Sequence, residues 1–373
     1  MPVPYAIELR SNCSQFATIQ TMSDYLATSY PRLAQRLLKT KLADLPTPVI
    51  ERALTTASGQ RNVTIKCDDL TGKLYGGNKV RKLEYLLRRA SEKNAKRIAT
   101  FGTAASNHAL ATALYAKSLG FECTCFLSNQ TRTPGVPRAL NMHLRNDTEI
   151  VRFGGSRASR VNTLRKHLWG RQAWVIPAGG SNWLGTVGFV NAGLELAAQI
   201  SAGDIVVPDR LYVANGTMAT AVGIALGLAL ANVPTEVHAV RVTEDFVANP
   251  IAMHRLMAKT ARLLNTLDAS IPADLANRAN YRFRNGFLAG GYAKSNTATD
   301  RAVCIARDEL GLALETTYTG KAMTAMLHDL QQPENAKLSM LFWNTFNSRP
   351  LPVGAERPSD VSGLPGEFLR YFD

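Results

Sequence analysis

The stretch K-C-D-D-L-T-G-K-L-Y-G-G-N-K-V-R-K-L-E-Y-L-L-R-R, Lys66 to Arg89, decides how the 373-residue chain is read. A strand-like run at 63–66 leads into it, and a turn follows at 68–72. Gly76-Gly77-Asn78 then makes a tight approach, and Lys79 stands where a helix begins. Val80, Leu83, Leu86 and Leu87 fall on one helical face, and Arg81, Lys82, Arg88 and Arg89 on the other. A lysine just after two glycines at a helix start is a suitable place for a reactive amine. Glycine lets a planar ligand come close, and the positive helix end favours a phosphate and disfavours an ammonium. On spacing alone, a solvated lysine on a basic helix is the commoner case.

The next glycine-containing turn adds to this. A short apolar run at 98–101 ends in Gly102-Thr103-Ala104-Ala105-Ser106-Asn107-His108, and an alanine-rich helix continues to about 119. Together the two segments resemble the pyridoxal-phosphate (PLP) family of 1-aminocyclopropane-1-carboxylate deaminase and D-cysteine desulfhydrase. That family shows G-G-N-K-x-R-K-L-E-[YF]-L followed by S-N-H or S-N-Q. The resemblance continues through Gly179-Gly180-Ser181-Asn182, Thr217 in a small-residue loop, and Tyr318-Thr319-Gly320-Lys321-Ala322, so it covers roughly 45–345. It implies an α/β fold of the tryptophan-synthase-β-like type, with two domains of parallel-rich sheets covered by helices. The larger domain is expected over 1–78 and 193–373 and the smaller over 79–192.

Composition narrows the function class. With 46% hydrophobic and 19% charged residues the chain reads as soluble and globular. No apolar run is long enough to suggest a membrane span, and residues 1–10 lack the apolar core of a signal peptide. Five scattered cysteines, Cys13, Cys67, Cys123, Cys125 and Cys304, read as free thiols in a reducing compartment, so a cytoplasmic location is expected. No metal-ligand spacing occurs. The net charge of +14 is spread along the chain without aromatic-basic interleaving. It reads as solvated surface and attraction for anions, with nucleic-acid binding as the non-enzyme alternative.

In order, residues 1–60 read as an extension with a basic helix at 25–42. Strands are then expected at 122–127, 150–153, 174–177, 211–214, 237–242 and 339–343. Helices are expected at 136–144, 159–169, 184–200, 217–230, 297–310 and 321–330. Residues 243–280 read as mostly helical, 281–292 as irregular, and the tail from 349 as a surface wrap. Strand–helix alternation argues for parallel sheets.

The resemblance assigns roles to particular residues. Lys79 would form the Schiff base with PLP and shuttle a proton, and Lys82 would contact the phosphate. Asn107 would meet the ring hydroxyl, Ser106 would lie beside the substrate, and Tyr318 would face cofactor and substrate. The loop of Asn215, Gly216, Thr217, Met218 and Ala219 is the phosphate cradle, with Asn215 as the residue that must tolerate a left-handed conformation. Family deaminases tend to carry an acidic residue after the tyrosine to serve the pyridine nitrogen. Here that residue is Thr319, which leaves Thr345 as the neutral partner. A second departure is Ala105, where the family usually has glutamine. The expected activity is PLP-dependent α,β-elimination on a small amino acid, D-cysteine desulfhydrase-like, in a homodimer. The alternatives are the cyclopropane-opening deaminase and a PLP-fold binding protein without turnover.

Overall fold

The computed structural model describes residues 24–56, 59–350 and 360–372. The signal-peptide reading at 1–10 and Cys13 lie outside them. Among the described residues ten strands form two sheets. In the larger, β1 (Val49–Thr56), β2 (Gly59–Cys67), β7 (Arg210–Asn215), β8 (Glu236–Arg241), β9 (Tyr281–Arg284) and β10 (Met340–Asn344) run in the order β1-β2-β10-β7-β8-β9. Only the β1–β2 pair is antiparallel. In the smaller, β3 (Arg97–Thr103), β4 (Glu122–Ser128), β5 (Glu149–Arg152) and β6 (Ala173–Ile176) run β5-β4-β3-β6, all parallel. Helix crossovers explain this arrangement, because parallel neighbours need long connections.

The helices are α1 (Tyr25–Ser29), α2 (Pro31–Arg36), α3 (Lys79–Glu92), α4 (Asn107–Ser118), α5 (Gly135–Arg145), α6 (Arg157–Leu168), α7 (Trp183–Ser201), α8 (Ala219–Leu230), α9 (Pro250–Leu267), α10 (Leu275–Arg278), α11 (Thr297–Leu310) and α12 (Thr319–Leu330). The main core runs through α3, α7 and α8 to Leu341 and Trp343 of β10. A second core lies between the other face of the large sheet and α11 and α12. Among the described residues no helix is long and apolar enough to cross a membrane, and Cys67, Cys123, Cys125 and Cys304 are free thiols.

Several expectations change. The single helix over 25–42 is two short ones, because Pro31 lacks an N–H and starts a new helix rather than continuing the first. The supposed extension contributes β1, which pairs with β2 from Val49↔Lys66 to Thr56↔Gly59. Tyr281–Arg284 is an edge strand parallel to β8 rather than irregular chain. The tail does more than wrap the surface: Leu364, Phe368 and Tyr371 are buried in the main core.

The largest correction concerns α3. Arg81 and Lys82, placed by periodicity on a solvated basic face, are each 1% exposed. Helical spacing detects an apolar stripe, but it cannot see a polar network waiting on the opposite side. Arg81 donates to Asp68 Oδ1 at 2.7 Å, to both oxygens of Glu195 at 2.9 Å and to Thr47 Oγ1 at 3.0 Å. Lys66 donates to Glu195 Oε1 and Gln199 Oε1, each at 2.6 Å. Two cations and two carboxylates thus close a neutral cluster under the lysine helix.

Candidate active site

The Gly76-Gly77 turn is shaped by protein, not by an approaching ligand. A Cβ on Gly76 would come within 1.9 Å of the Asp69 carbonyl oxygen. Gly77 has φ +88°, and its Cβ would lie 2.8 Å from the Thr345 carbonyl oxygen. Two main-chain bonds fix the turn: Gly77 N–H donates to Asp68 O at 2.9 Å and Asn78 N–H to Thr345 O at 3.1 Å. The double glycine therefore seats the start of α3 between the ends of β2 and β10.

Lys79 projects from that start into a cavity of about 810 Å³. The cavity lies beyond the C-terminal ends of strands from both sheets, where open parallel sheets bind ligands. Thr103, Ser128 and Arg152 border it from the small sheet, and Gly216, Thr243 and Thr345 from the large one. Among the described residues Lys79 has no hydrogen-bond or ion-pair partner. Burial lowers its pKa to about 8, because a low-dielectric site disfavours the ammonium. Capture of an aldehyde by Lys79 should therefore rise about fivefold between pH 7 and pH 8 and level off by pH 9. Stopped-flow measurement on cofactor-free protein checks this; an ordinary lysine would still gain about tenfold per unit there.

Nine of the eleven residues singled out in the sequence border the cavity: Lys79, Lys82, Ser106, Asn107, Gly216, Thr217, Met218, Tyr318 and Thr345. Asn215 and Ala219 do not. Asn215 is the last residue of β7, 1% exposed, with Nδ2 3.8 Å from Met253 Sδ. The left-handed residue of the loop is Met218, φ +69°, and α8 begins only at Ala219 rather than at 217. The strain expected at Asn215 thus falls three residues later, where the strand has ended and the chain reverses into the helix.

The other side chains are held by specific partners. Lys82 Nζ donates to Gly179 O at 3.1 Å and sits 5.8 Å over the Phe189 ring, and burial followed by repulsion from Lys79 holds its pKa well below the lysine range. Thr217 Oγ1 accepts the Ser181 hydroxyl at 2.6 Å, so the 179–182 turn braces the cradle loop. Asn107 Oδ1 accepts the Tyr75 hydroxyl at 3.2 Å, which leaves its Nδ2 as a donor. Ser106 Oγ accepts Ala109 N–H at 3.2 Å as the cap of α4, keeping its own proton available. His108 Nε2 meets Thr100 Oγ1 at 2.9 Å in the core, and burial drives its pKa well down, so it is neutral.

Three residues that sequence reasoning passed over also border the cavity. Tyr292 shares a very short hydrogen bond with Tyr318 and reaches Thr103 Oγ1 at 3.1 Å. This phenol pair links the large-sheet side to the end of β3. Glu315 accepts the N–H groups of Thr317, Tyr318 and Thr319 at 2.7–2.9 Å. Burial raises its pKa against those bonds. Gln130 accepts Ala105 N–H at 3.0 Å. Only the segment 281–292, with Tyr281, Phe283, Phe287 and Tyr292, carried a signal for any of these. Thr319 Oγ1 is engaged with Glu315, whereas the Thr345 hydroxyl has no partner among the described residues.

Residues 40–342 match the family model described as pyridoxal-phosphate dependent enzyme. A D-cysteine desulfhydrase of Klebsiella pneumoniae is 30% identical over 317 residues, covering 82% of this chain and 90% of that protein. A bifunctional D-cysteine desulfhydrase/1-aminocyclopropane-1-carboxylate deaminase of Arabidopsis thaliana, a mitochondrial protein, is 30% identical over 87% of this chain and 83% of its own. A solved ACC deaminase homologue superposes with a TM-score of 0.66 at 25% identity, over 87% of this chain and 94% of that one.

Proposed function

Since this chain belongs to the pyridoxal-phosphate dependent enzyme family, we propose that it catalyses α,β-elimination on a small amino acid, with D-cysteine or a β-substituted D-alanine as substrate. Water is consumed, and pyruvate, ammonia and the β-substituent, hydrogen sulfide for D-cysteine, are released. The site fits the cofactor on its own terms: an unpartnered lysine with a lowered pKa, a strand–loop–helix junction for an anion, and uncommitted donors around the cavity. In this reading Lys79 holds the aldehyde, and Lys82, Gly216 and Thr217 with the flanking main chain of Asn215, Met218 and Ala219 hold the phosphate. Asn107 takes the ring hydroxyl and Thr345 the pyridine nitrogen. The sequence division into domains of 1–78 with 193–373 and 79–192 is retained as part of the proposal, as are a homodimer and a cytoplasmic location.

Bound pyridoxal phosphate supplies an electron sink for the pair left when the α-proton departs. The protein supplies the remainder. Neutral Lys79 Nζ can accept the α-proton, and Ser106, bordering the same cavity, keeps a free hydroxyl proton. Tyr318, whose phenol burial and the neighbouring Tyr292 push well above its usual pKa, stays protonated and can deliver a proton to a departing β-group. Tyr292, itself bonded to Thr103 Oγ1, holds that phenol in place.

The observation that carries elimination over cyclopropane opening is the free Thr345 hydroxyl. A neutral partner leaves the pyridine nitrogen less protonated than a carboxylate would. Glu315 borders the cavity too, but its carboxylate is held by the N–H groups of Thr317, Tyr318 and Thr319 around the start of α12. Elimination needs less stabilisation, because the β-bond breaks as the electron pair forms. Pyruvate formation from D-cysteine or a β-substituted D-alanine should therefore exceed ammonia release from 1-aminocyclopropane-1-carboxylate. A higher kcat/KM for the cyclopropane substrate would reverse the assignment.

A further inference from the structure

Gln130 lies in the loop between β4 and α5, and it is held twice. Its Oε1 accepts the N–H of Ala105, the residue before Ser106, at 3.0 Å. An amide whose oxygen is engaged must present its NH2 elsewhere, and Nε2 has no partner among the described residues. Since Gln130 borders the cavity, that NH2 is the donor it offers to a bound molecule. Its main chain is gripped by Tyr371. Gln130 N–H donates to Tyr371 Oη at 3.0 Å, and the Tyr371 hydroxyl donates back to Gln130 O at 2.8 Å. Tyr371 is 2% exposed and stacks on the fully buried Phe368, ring centroids 6.3 Å apart. This clasp belongs to the 3₁₀ turn Gly366–Tyr371, beyond the 40–342 span of the family match.

Two further donors stand close by in sequence. In the first turn of α4 the N–H of Ala109 is capped by Ser106, but those of Asn107 and His108 have no partner among the described residues. A helix start of this kind attracts an anion, and a side-chain amide beside it adds directionality. The resembled family carries glutamine where this chain has Ala105, so the amide here reaches the same turn from another loop.

We propose that Gln130 positions the substrate carboxylate against the start of α4, and that the segment 366–371 sets Gln130 through Tyr371. The proposal rests on the reading that the site takes an amino acid. Full-length wild type, Gln130→Ala, Tyr371→Phe and the double variant, loaded with pyridoxal phosphate, would be titrated with D-alanine, which carries the carboxylate without a β leaving group. Absorbance of the cofactor reports binding. Gln130→Ala should weaken binding about tenfold, Tyr371→Phe less, and the double variant no more than Gln130→Ala alone. With an eliminating substrate the loss should appear in KM and not in kcat. In cofactor-free protein, amide exchange at 128–131 should accelerate in Tyr371→Phe. Equal affinity in wild type and Gln130→Ala would overturn the carboxylate role. Additive losses, or unchanged exchange in Tyr371→Phe, would overturn the clasp. A wild type that responds to no amino acid would instead bring down the functional reading, and this proposal with it.

Discussion

Replacing Lys79 by alanine should abolish turnover and leave no bond between protein and cofactor that borohydride can fix. Lys79 combines three properties that no other lysine bordering the cavity shares. It stands at the start of a 14-residue helix, it has no competing partner among the described residues, and burial alone brings its pKa to about 8. Lys82, one turn on, is tied to Gly179 O and to the Phe189 face. A positioned proton-transfer group alone is worth roughly 10²–10⁴-fold, and Lys79 would also anchor the cofactor, so the loss should exceed that range. Borohydride reduction followed by peptide mapping makes the test. Wild type and Lys82→Ala should both carry the label on Lys79, with Lys82→Ala retaining cofactor less firmly. A label on Lys82 in the Lys79→Ala protein would show that the site can use the other amine and that the assignment is wrong.

The second large effect lies beneath the site. Arg81→Leu should destabilise the fold by about 3–5 kcal/mol, the range for breaking a buried ion cluster by removing one member. Asp68 and Glu195, both fully buried, would lose their shared fork. Lys66 cannot replace it, because burial lowers the Lys66 pKa and Glu195 only partly restores it. The same cluster sets an acid limit. Burial pushes Glu195 up, but the charges and hydrogen bonds of Arg81 and Lys66 outweigh burial and hold it at about 2. Its folded value is below the unfolded one, so the stabilisation is complete above about pH 4.5 and is lost as pH falls toward 2. It amounts to about 3 kcal/mol. Urea titrations of wild type and Arg81→Leu at pH 7 and pH 3 measure both effects. If the variant unfolds at the same urea concentration as wild type, the cluster is ornamental to stability.

What could be read from the residues follows from the range of the interactions involved. The G-G-N-K start, the S-N cap of α4 and the strand–helix alternation are local, and the structure has them where spacing and side-chain type put them. The misses are non-local. Arg81 looks solvated until Glu195, 114 residues away, is brought beneath it. Tyr292 is brought to the site by partners distant in sequence, its N–H held by Glu244, 48 residues earlier. β1 lacks a clean alternation because it is an edge strand with only Leu54 buried. Gln130 gave no signal, since its place depends on a tyrosine 241 positions later.

The position of β10 has a kinetic side. It is the last in sequence of the strands among the described residues but lies between β2 and β7, pairing Leu341 with Thr64 on one edge and with Leu211 on the other. Until it inserts, the large sheet is two separate ribbons. The same strand end supplies the carbonyl of Thr345 that receives Asn78 N–H, one residue before the lysine. The early-synthesised helix is thus latched by a late-synthesised strand, and contacts of such high sequence separation make for slow, cooperative assembly. A chain halted short of β10 would lack the Thr345 carbonyl that receives Asn78 N–H, and with it the seat of the lysine.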